Sequence, residues 1–370
     1  MIYIAVILTS TLLNYLSEKS KNKYFKHVFF IISLLMTAVF AGVRSYDTGT
    51  DIKTYVLYHF DIAKQSSLAS YVQAKGTDSI LYSIMIVVVS KLFPNAHWML
   101  FFIQLYINIF FYIAAYRYEK YSYKSSTIFL FVYYCTFYIY VFNIMRQGMA
   151  VAMVVLGSVE LLYNKRYKYY TILNIFAILM HPTAIICLAI PILTRILNGK
   201  KDLSRKTFTF CMIILSCTVL LVFRFQNIIR SLITVGIVQE RYLYSITTYL
   251  KDQANFEMYK LVFCMLMIII VCGMRKIKYK VMKELLIIFF MVSFSAYLVG
   301  GVSTFTERIG LYYWMTALCI SSGYVVSDTW KIKYGNYNFS IVIYAVLMIV
   351  MCIYQFFVCN QAAAYPYVFM

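Results

Sequence analysis

Residues 29–51 read Phe29-Phe30-Ile31-Ile32-Ser33-Leu34-Leu35-Met36-Thr37-Ala38-Val39-Phe40-Ala41-Gly42-Val43-Arg44-Ser45-Tyr46-Asp47-Thr48-Gly49-Thr50-Asp51. Up to Val43 the run is almost wholly apolar and approaches the length a helix needs to cross a bilayer. The stretch from Arg44 to Asp51 then packs an arginine, two carboxylates, several hydroxyls and a glycine into a turn-sized segment. A dense polar cluster at the mouth of a span costs insertion energy, so it is either solvated loop or a site.

The same alternation runs outward along the chain. Of 370 residues, 62% are hydrophobic and only 13% charged, with mean hydropathy +0.74. A soluble domain could not cover that much apolar surface with polar groups. Near-spanning apolar segments fall at 2–16, 28–43, 79–93, 98–116, 126–142, 147–163, 169–181, 183–197, 207–223, 258–274, 285–301, 309–327 and 339–358. The pattern predicts an all-α polytopic membrane protein of roughly 12–14 transmembrane helices, a single integral membrane domain over 1–370. Many of the 37 tyrosines sit at span ends, where an amphipathic ring suits the headgroup level.

The net charge of +20 would suggest nucleic acid on a soluble protein. Here the basic residues cluster in short loops, at 19–26, 117–124, 165–168, 200–206, 275–283 and 331–333. The positive-inside rule explains them more simply and puts those loops in the cytoplasm, so nucleic acid is not an expected partner. The first apolar run has no basic residue before it and lysines after it, the pattern of an uncleaved anchor. The opposite, extracytoplasmic face then holds loop 44–78, residues 143–148, the hairpin at His181, loop 224–257 and residues 300–308. Strict alternation fails between 78 and 117, where two spans would put Arg117 outside. One segment there is re-entrant, or 52–76 dips into the membrane.

The nine cysteines lie mostly in apolar runs with no CxxC pair, and read as small buried hydrophobes. There is no HExxH, DxD or glycine-rich nucleotide pattern, so neither a metal nor a cofactor is expected.

Polar groups gather on the proposed outer face. They are Arg44, Asp47 and Asp51; Asn143, Arg146 and Gln147; His181 before Pro182; and Glu307 with Arg308. Each has a plain reading: interfacial snorkelling for Arg44 and Asp47, a helix cap for His181, a local ion pair for Glu307 and Arg308. Arg146, between two apolar runs, has the least room for one. Guanidinium groups gathered on one face suit a phosphate or pyrophosphate partner, because their planar fork matches phosphate oxygens. The carboxylates and the histidine supply candidate proton acceptors.

The motifs Gly42-Val43-Arg44, Gly49-Thr50-Asp51 with Tyr55, Asn143-x-x-Arg146-Gln147-x-x-Ala150, His181, Glu307-Arg308 and terminal Pro366-Tyr367 resemble, in order, the EpsG family. These are Wzy-like polymerases of exopolysaccharide, capsule and O-antigen. Here His181 is followed by Pro182, where the family often has a small polar residue. The resemblance implies a Wzy-like, GT-C-like helical bundle in the bacterial inner membrane with an extracytoplasmic active face. It implies undecaprenyl-pyrophosphate-linked oligosaccharide as substrate, and a flippase and a chain-length regulator as pathway partners. The growing glycan would move from its lipid pyrophosphate to a hydroxyl of the next unit. On that reading Arg44, Arg146 and Arg308 clamp pyrophosphate, and Asp51, Asp47 or His181 serves the proton, with Glu307 beside them. Tyr55, Asn143, Gln147, Arg224 and Arg241 contact substrate. A lipid-linked sugar flippase, or a polyprenyl-dependent glycosyl- or acyltransferase or ligase, is the competing expectation. A flippase would place its charges near the bilayer midplane, whereas here they concentrate at span ends.

Overall fold

A computed structural model describes residues 2–49, 51–76, 79–122, 124–198, 203–235, 257–273, 280–301, 304–325, 333–334, 337–363 and 365–369. The chain forms two compact units, Met1–Leu188 with Lys331–Met370, and Ala189–Trp330. In the first, α1 (Ile2–Lys19) and α2 (Lys23–Gly42) precede the short helices α3 (Tyr58–Gln65) and α4 (Leu68–Lys75). Then come α5 (Ile80–Leu92), α6 (His97–Ser122), α7 (Ser126–Tyr133), α8 (Met145–Asn164) and α9 (Tyr167–Met180). The second unit holds α10 (Ala189–Leu197), α11 (Leu203–Thr234), α12 (Met258–Cys272), α13 (Lys280–Gly300) and α14 (Thr304–Tyr324). Helix α15 (Phe339–Ile353) returns the chain to the first unit. Among the described residues the one sheet is a pair of two-residue antiparallel strands, Lys333–Tyr334 and Tyr337–Asn338.

Six described helices have the length and apolar composition to cross a membrane: Lys23–Gly42, His97–Ser122, Met145–Asn164, Leu203–Leu221, Val281–Gly300 and Ile341–Val358. Four shorter apolar helices join them, at Ile80–Leu92, Ser126–Tyr138, Pro182–Leu197 and Met258–Cys272. The protein is a multi-pass, all-α membrane protein.

Within the connector 44–78, α3 and α4 form a helical pair lying on α5. The serine cap of Ser67, accepting from Ser70 N, starts α4, and Gly76 at φ 88° stops it. One sequence boundary is corrected: helix α11 runs on past 223 to Thr234, so the segment beginning at Arg224 starts as helix.

Helix α8 is the axis of the first unit. The apolar window in α8 is 94% buried, against 33% in α2, which leaves α2 a broad outward face. Small residues let neighbours approach α8 closely. A β-carbon on Gly148 would meet Val141 Cγ1 at 2.7 Å, and one on Gly157 would meet Tyr170 Cδ2 at 3.1 Å.

Buried polar side chains tie α1, α2, α6 and α7 together. Asn14 donates to Tyr134 OH at 3.0 Å, and Ser33 Oγ lies 2.6 Å from Tyr112 OH. Asn108 Nδ2 donates to Thr37 Oγ1 at 2.7 Å, and Asn108 Oδ1 accepts from Tyr133 OH at 2.7 Å. Such groups are stable in an apolar bundle only while paired, so the ladder fixes how these helices register. At the last turn of α8, buried Glu160 is held by Arg117 at 3.3 Å and Arg166 at 3.5 Å.

Candidate functional site

The turn after α2 is closed by the far end of the chain. Ser45 N donates to Val368 O at 2.7 Å, Gly49 N donates to Ala363 O at 3.0 Å, and Arg44 bridges Phe369. Tyr367 OH donates to Phe40 O at 2.6 Å. Gly49, at φ 106°, supplies a backbone conformation that other residues rarely adopt. The terminal Pro366-Tyr367 and the stretch 44–51 are therefore one structural piece.

Arg44 points inward from that piece. It is 2% exposed, and its guanidinium carbon lies 3.8 Å from the centre of the Phe142 ring. Tyr3, Tyr138 and Tyr367 surround it electrostatically. Burial pulls its pKa down to about 10, so it stays charged at neutral pH. Its Nε donates to no partner. Cation–π contact with Phe142 offsets part of the desolvation. Asp47 lies outside this box, exposed, paired with Lys53 at 2.5 Å. That lysine, ahead of a weaker bond from Ser45, holds the Asp47 carboxyl below its usual range.

Arg146 stands in the first turn of α8, and a different set of residues meets it. Its guanidinium carbon lies 5.2 Å from the Tyr55 ring and 5.8 Å from the Tyr82 ring. Lys75, the last residue of α4, has Nζ 4.9 Å from the Tyr82 ring, 5.5 Å from the Tyr71 ring, and donates to Tyr71 OH at 3.3 Å. His59 on α3 packs edge-on against Tyr71 at 6.1 Å. Tyr82 OH donates to Tyr55 O at 3.5 Å, closing the wall. Asp51 directly precedes the π-helical turn Ile52–Leu57, makes no capping bond to it, and lies close enough to act electrostatically on Tyr82.

The electrostatics of this cluster are one-sided. Burial, then Arg146, pulls Lys75 down to about 7. Burial, then Lys75 and Arg146, pulls His59 down to about 4. Among the described residues no carboxylate forms an ion pair with Arg146, Lys75 or His59. Three basic side chains walled by tyrosines, each weakening the next, make a place where an anion would be welcome.

The remaining expected residues are more scattered. Gln147 is buried beside Arg146, and Asn143 is half-buried, ending a single 3-10 turn. His181 ends α9, with Nδ1 2.7 Å from Thr183 Oγ1. Glu307 and Arg308 belong to the second unit. There Glu307 pairs with Lys260, which is 4% exposed and also held by Glu257, so the carboxylate looks across helices and not along its own. Tyr297 flanks Lys260 at 5.4 Å. Arg224 lies on α11, and Arg241 lies outside the described residues. No group of three or more His, Cys, Asp or Glu that could hold a metal occurs among the described residues.

Sequence reading missed His59, Lys75, Tyr71, Tyr82 and Lys260. A signal for part of this was present. Ser67 and Gly76 bracket a helix on which Tyr71 and Lys75, four apart, share a face.

A sequence profile of the EpsG family matches residues 27–369. The chain belongs to the EpsG family. This is a family of Wzy-like polysaccharide polymerases. No curated protein and no solved structure matches the chain. The EpsG match spans both compact units and every candidate site residue, from Arg44 to the tail that closes over it. As an EpsG protein it is a multi-pass membrane protein of polysaccharide polymerase type.

Proposed function

We propose that the protein joins oligosaccharide repeat units carried on undecaprenyl diphosphate into a surface polysaccharide, at the extracytoplasmic face of the cell membrane. The observation that carries this reading is the Arg146 pocket, a cationic cluster with tyrosine walls and no paired carboxylate among the described residues, in a chain of the EpsG family. In the reaction, a hydroxyl oxygen of the incoming unit attacks the anomeric carbon of the growing glycan. The bond from that carbon to the diphosphate breaks, the lipid diphosphate leaves with the electron pair, and the hydroxyl proton passes to a base. Negative charge grows on the leaving diphosphate, and Arg146 stabilises it through a fork of two parallel N–H donors. Asp51, a carboxylate that acts electrostatically on Tyr82, serves as the base. Tyr55, half-buried, contacts sugar in this proposal, while the buried Tyr82 backs the two cations. Arg44 acts as a positioning residue: stacked on Phe142, it holds the segment that leads into Arg146. Bilayer-anchored substrates meet at one surface, which makes the encounter nearly intramolecular.

The test is polymerisation of a defined undecaprenyl-diphosphate-linked oligosaccharide by purified protein in nanodiscs, read as a ladder on a gel. Wild type makes a ladder, and Arg146→Ala loses it. Transfer of the intact unit across proteoliposomes with no ladder would replace this reading with a flippase.

A further inference from the structure

We propose that Lys75 is a second diphosphate ligand beside Arg146, taking up a proton as the anion arrives and returning it as the anion leaves. This rests on the polymerase reading and adds to it a residue and a means of release.

The geometry comes first. Lys75 ends α4 with its ammonium turned into the same tyrosine-walled space as Arg146, near Tyr71 and Tyr82, instead of outward to water. The groups facing it from each packed element are Arg146 on α8, His59 on α3, Tyr71 on its own helix and Tyr82 on α5. Asp51 and Tyr55 stand on the turn before α3 and meet the pocket through Tyr82. Among the described residues no carboxylate pairs with Lys75. This half-buried lysine is held by tyrosines, with a like charge acting on it and no paired carboxylate among the described residues, an arrangement that suits an incoming anion.

The charge balance gives the second part. By itself the pocket sets Lys75 near 7, so close to half of it is the neutral amine at pH 7. A diphosphate diester brings two fixed negative charges and reverses the sign of the local field, which favours the ammonium. His59, held near 4 in the unliganded cluster, is neutral there and offers a hydrogen-bonding group. Proton uptake strengthens the hold on the donor, and proton loss loosens it. A polymerase must release its spent lipid carrier every cycle, and a ligand that switches charge helps it do so.

The probe is dimethyl diphosphate, a symmetrical diester that does not titrate near pH 7. Its affinity for purified, full-length protein is measured from pH 6 to pH 9 by calorimetry in buffers of differing ionisation enthalpy. Wild type binds with proton uptake near zero at pH 6 and close to one at pH 8. Its affinity falls toward tenfold per pH unit above 7. Lys75→Gln binds at least tenfold more weakly at pH 6.5 with no such slope. Lys75→Arg, which keeps the charge, restores binding and abolishes both the slope and the proton uptake. The proposal is overturned if Lys75→Gln keeps the wild-type slope, if wild type shows none, or if wild type does not bind the probe. Polymer output is scored on the same samples. Lys75-dependent binding without any ladder sinks the polymerase reading and leaves this site standing. A wild-type ladder with a Lys75→Gln variant indistinguishable in binding does the reverse.

Discussion

Lys75 and Lys260 are the same residue type in two half-dry places, and the protein treats them in opposite ways. Lys260, in the second unit, is clasped by Glu257 and Glu307 and capped by the Tyr297 ring. Lys75, in the first, sees Arg146, His59 and tyrosines. In the one case the counter-charge is built into the chain. In the other the described residues supply none. A buried ion pair reports on structure, whereas a cation left without one reports on a ligand. Lys75 is pulled to about 7 because burial and a like charge act together. Around Lys260, which is more deeply buried, the neighbours are carboxylates.

The strongest way to break the comparison is to remove the partnered cation. Lys260→Met leaves the mostly buried Glu307 carboxylate without this cation, and is expected to destabilise the fold by about 3–5 kcal/mol. Thermal unfolding in detergent would show it as a large loss of melting temperature or of folded yield. The double change to Lys260→Met with Glu307→Gln should recover much of it. If Lys260→Met alone unfolds no earlier than wild type, the pair is not structural and the contrast between the two lysines collapses.

Arg146 tests the other side. Arg146→Ala should leave the fold intact, since it pairs with no acid among the described residues, yet reduce polymer output by about 100- to 1000-fold, the range for losing a charge-stabilising donor. Arg146→Lys keeps the charge and loses the fork, and should sit far below wild type. A Lys variant with full output at equal protein level would remove the bidentate role.

The helical skeleton was readable from residues 29–51 outward because apolar run length and loop charge are local properties. The register of Arg44 was readable too, but not its direction. A sequence cannot show that Phe142 and the tail at Tyr367 lie over it, for those contacts close across 98 and 323 positions. Asp47 and Asp51 looked equivalent in the string, yet one is a surface partner of Lys53 and the other stands before a helical turn near Tyr82. Loop 44–78 read as polar connector because its helices are short and only half apolar. Their burial comes from lying on α5, a tertiary fact. Glu307 and Arg308 are adjacent in the chain, which suggested they pair together, but helix α14 gives Glu307 to Lys260 on α12.

Backbone spacing around Arg146 offers a subtler perturbation. Gly148 lies against Val141 with room for no β-carbon, the nearest atom being 2.7 Å from where it would sit. Gly148→Ala should cost about 1–3 kcal/mol by overpacking. Because the clash pushes on the turn that carries Arg146, polymer output should fall further than stability alone predicts. A companion Val141→Ala change should relieve both. Failure of that rescue would mean the spacing at α8 has no bearing on the site.

The mildest effect concerns what the lysine of the pocket does to the fold itself. Lys75 has a folded pKa near 7, below the ordinary lysine value of 10.5. Its charged form is therefore disfavoured in the native state. The penalty is fully present below about pH 7, shrinks as pH rises from 7 toward 10.5, and is gone above it. Lys75→Met removes the charge and should raise the melting temperature by a few degrees at pH 6, with the gain fading by pH 9. Saturating dimethyl diphosphate should stabilise wild type at pH 6 and not Lys75→Met to the same degree. A Lys75→Met protein that is less stable than wild type at pH 6 would mean that the lysine has a partner after all. The line drawn between the two lysines would then be wrong. The expected result is a protein made more stable and less useful by one substitution, because the charge that strains the pocket is the charge that holds its ligand.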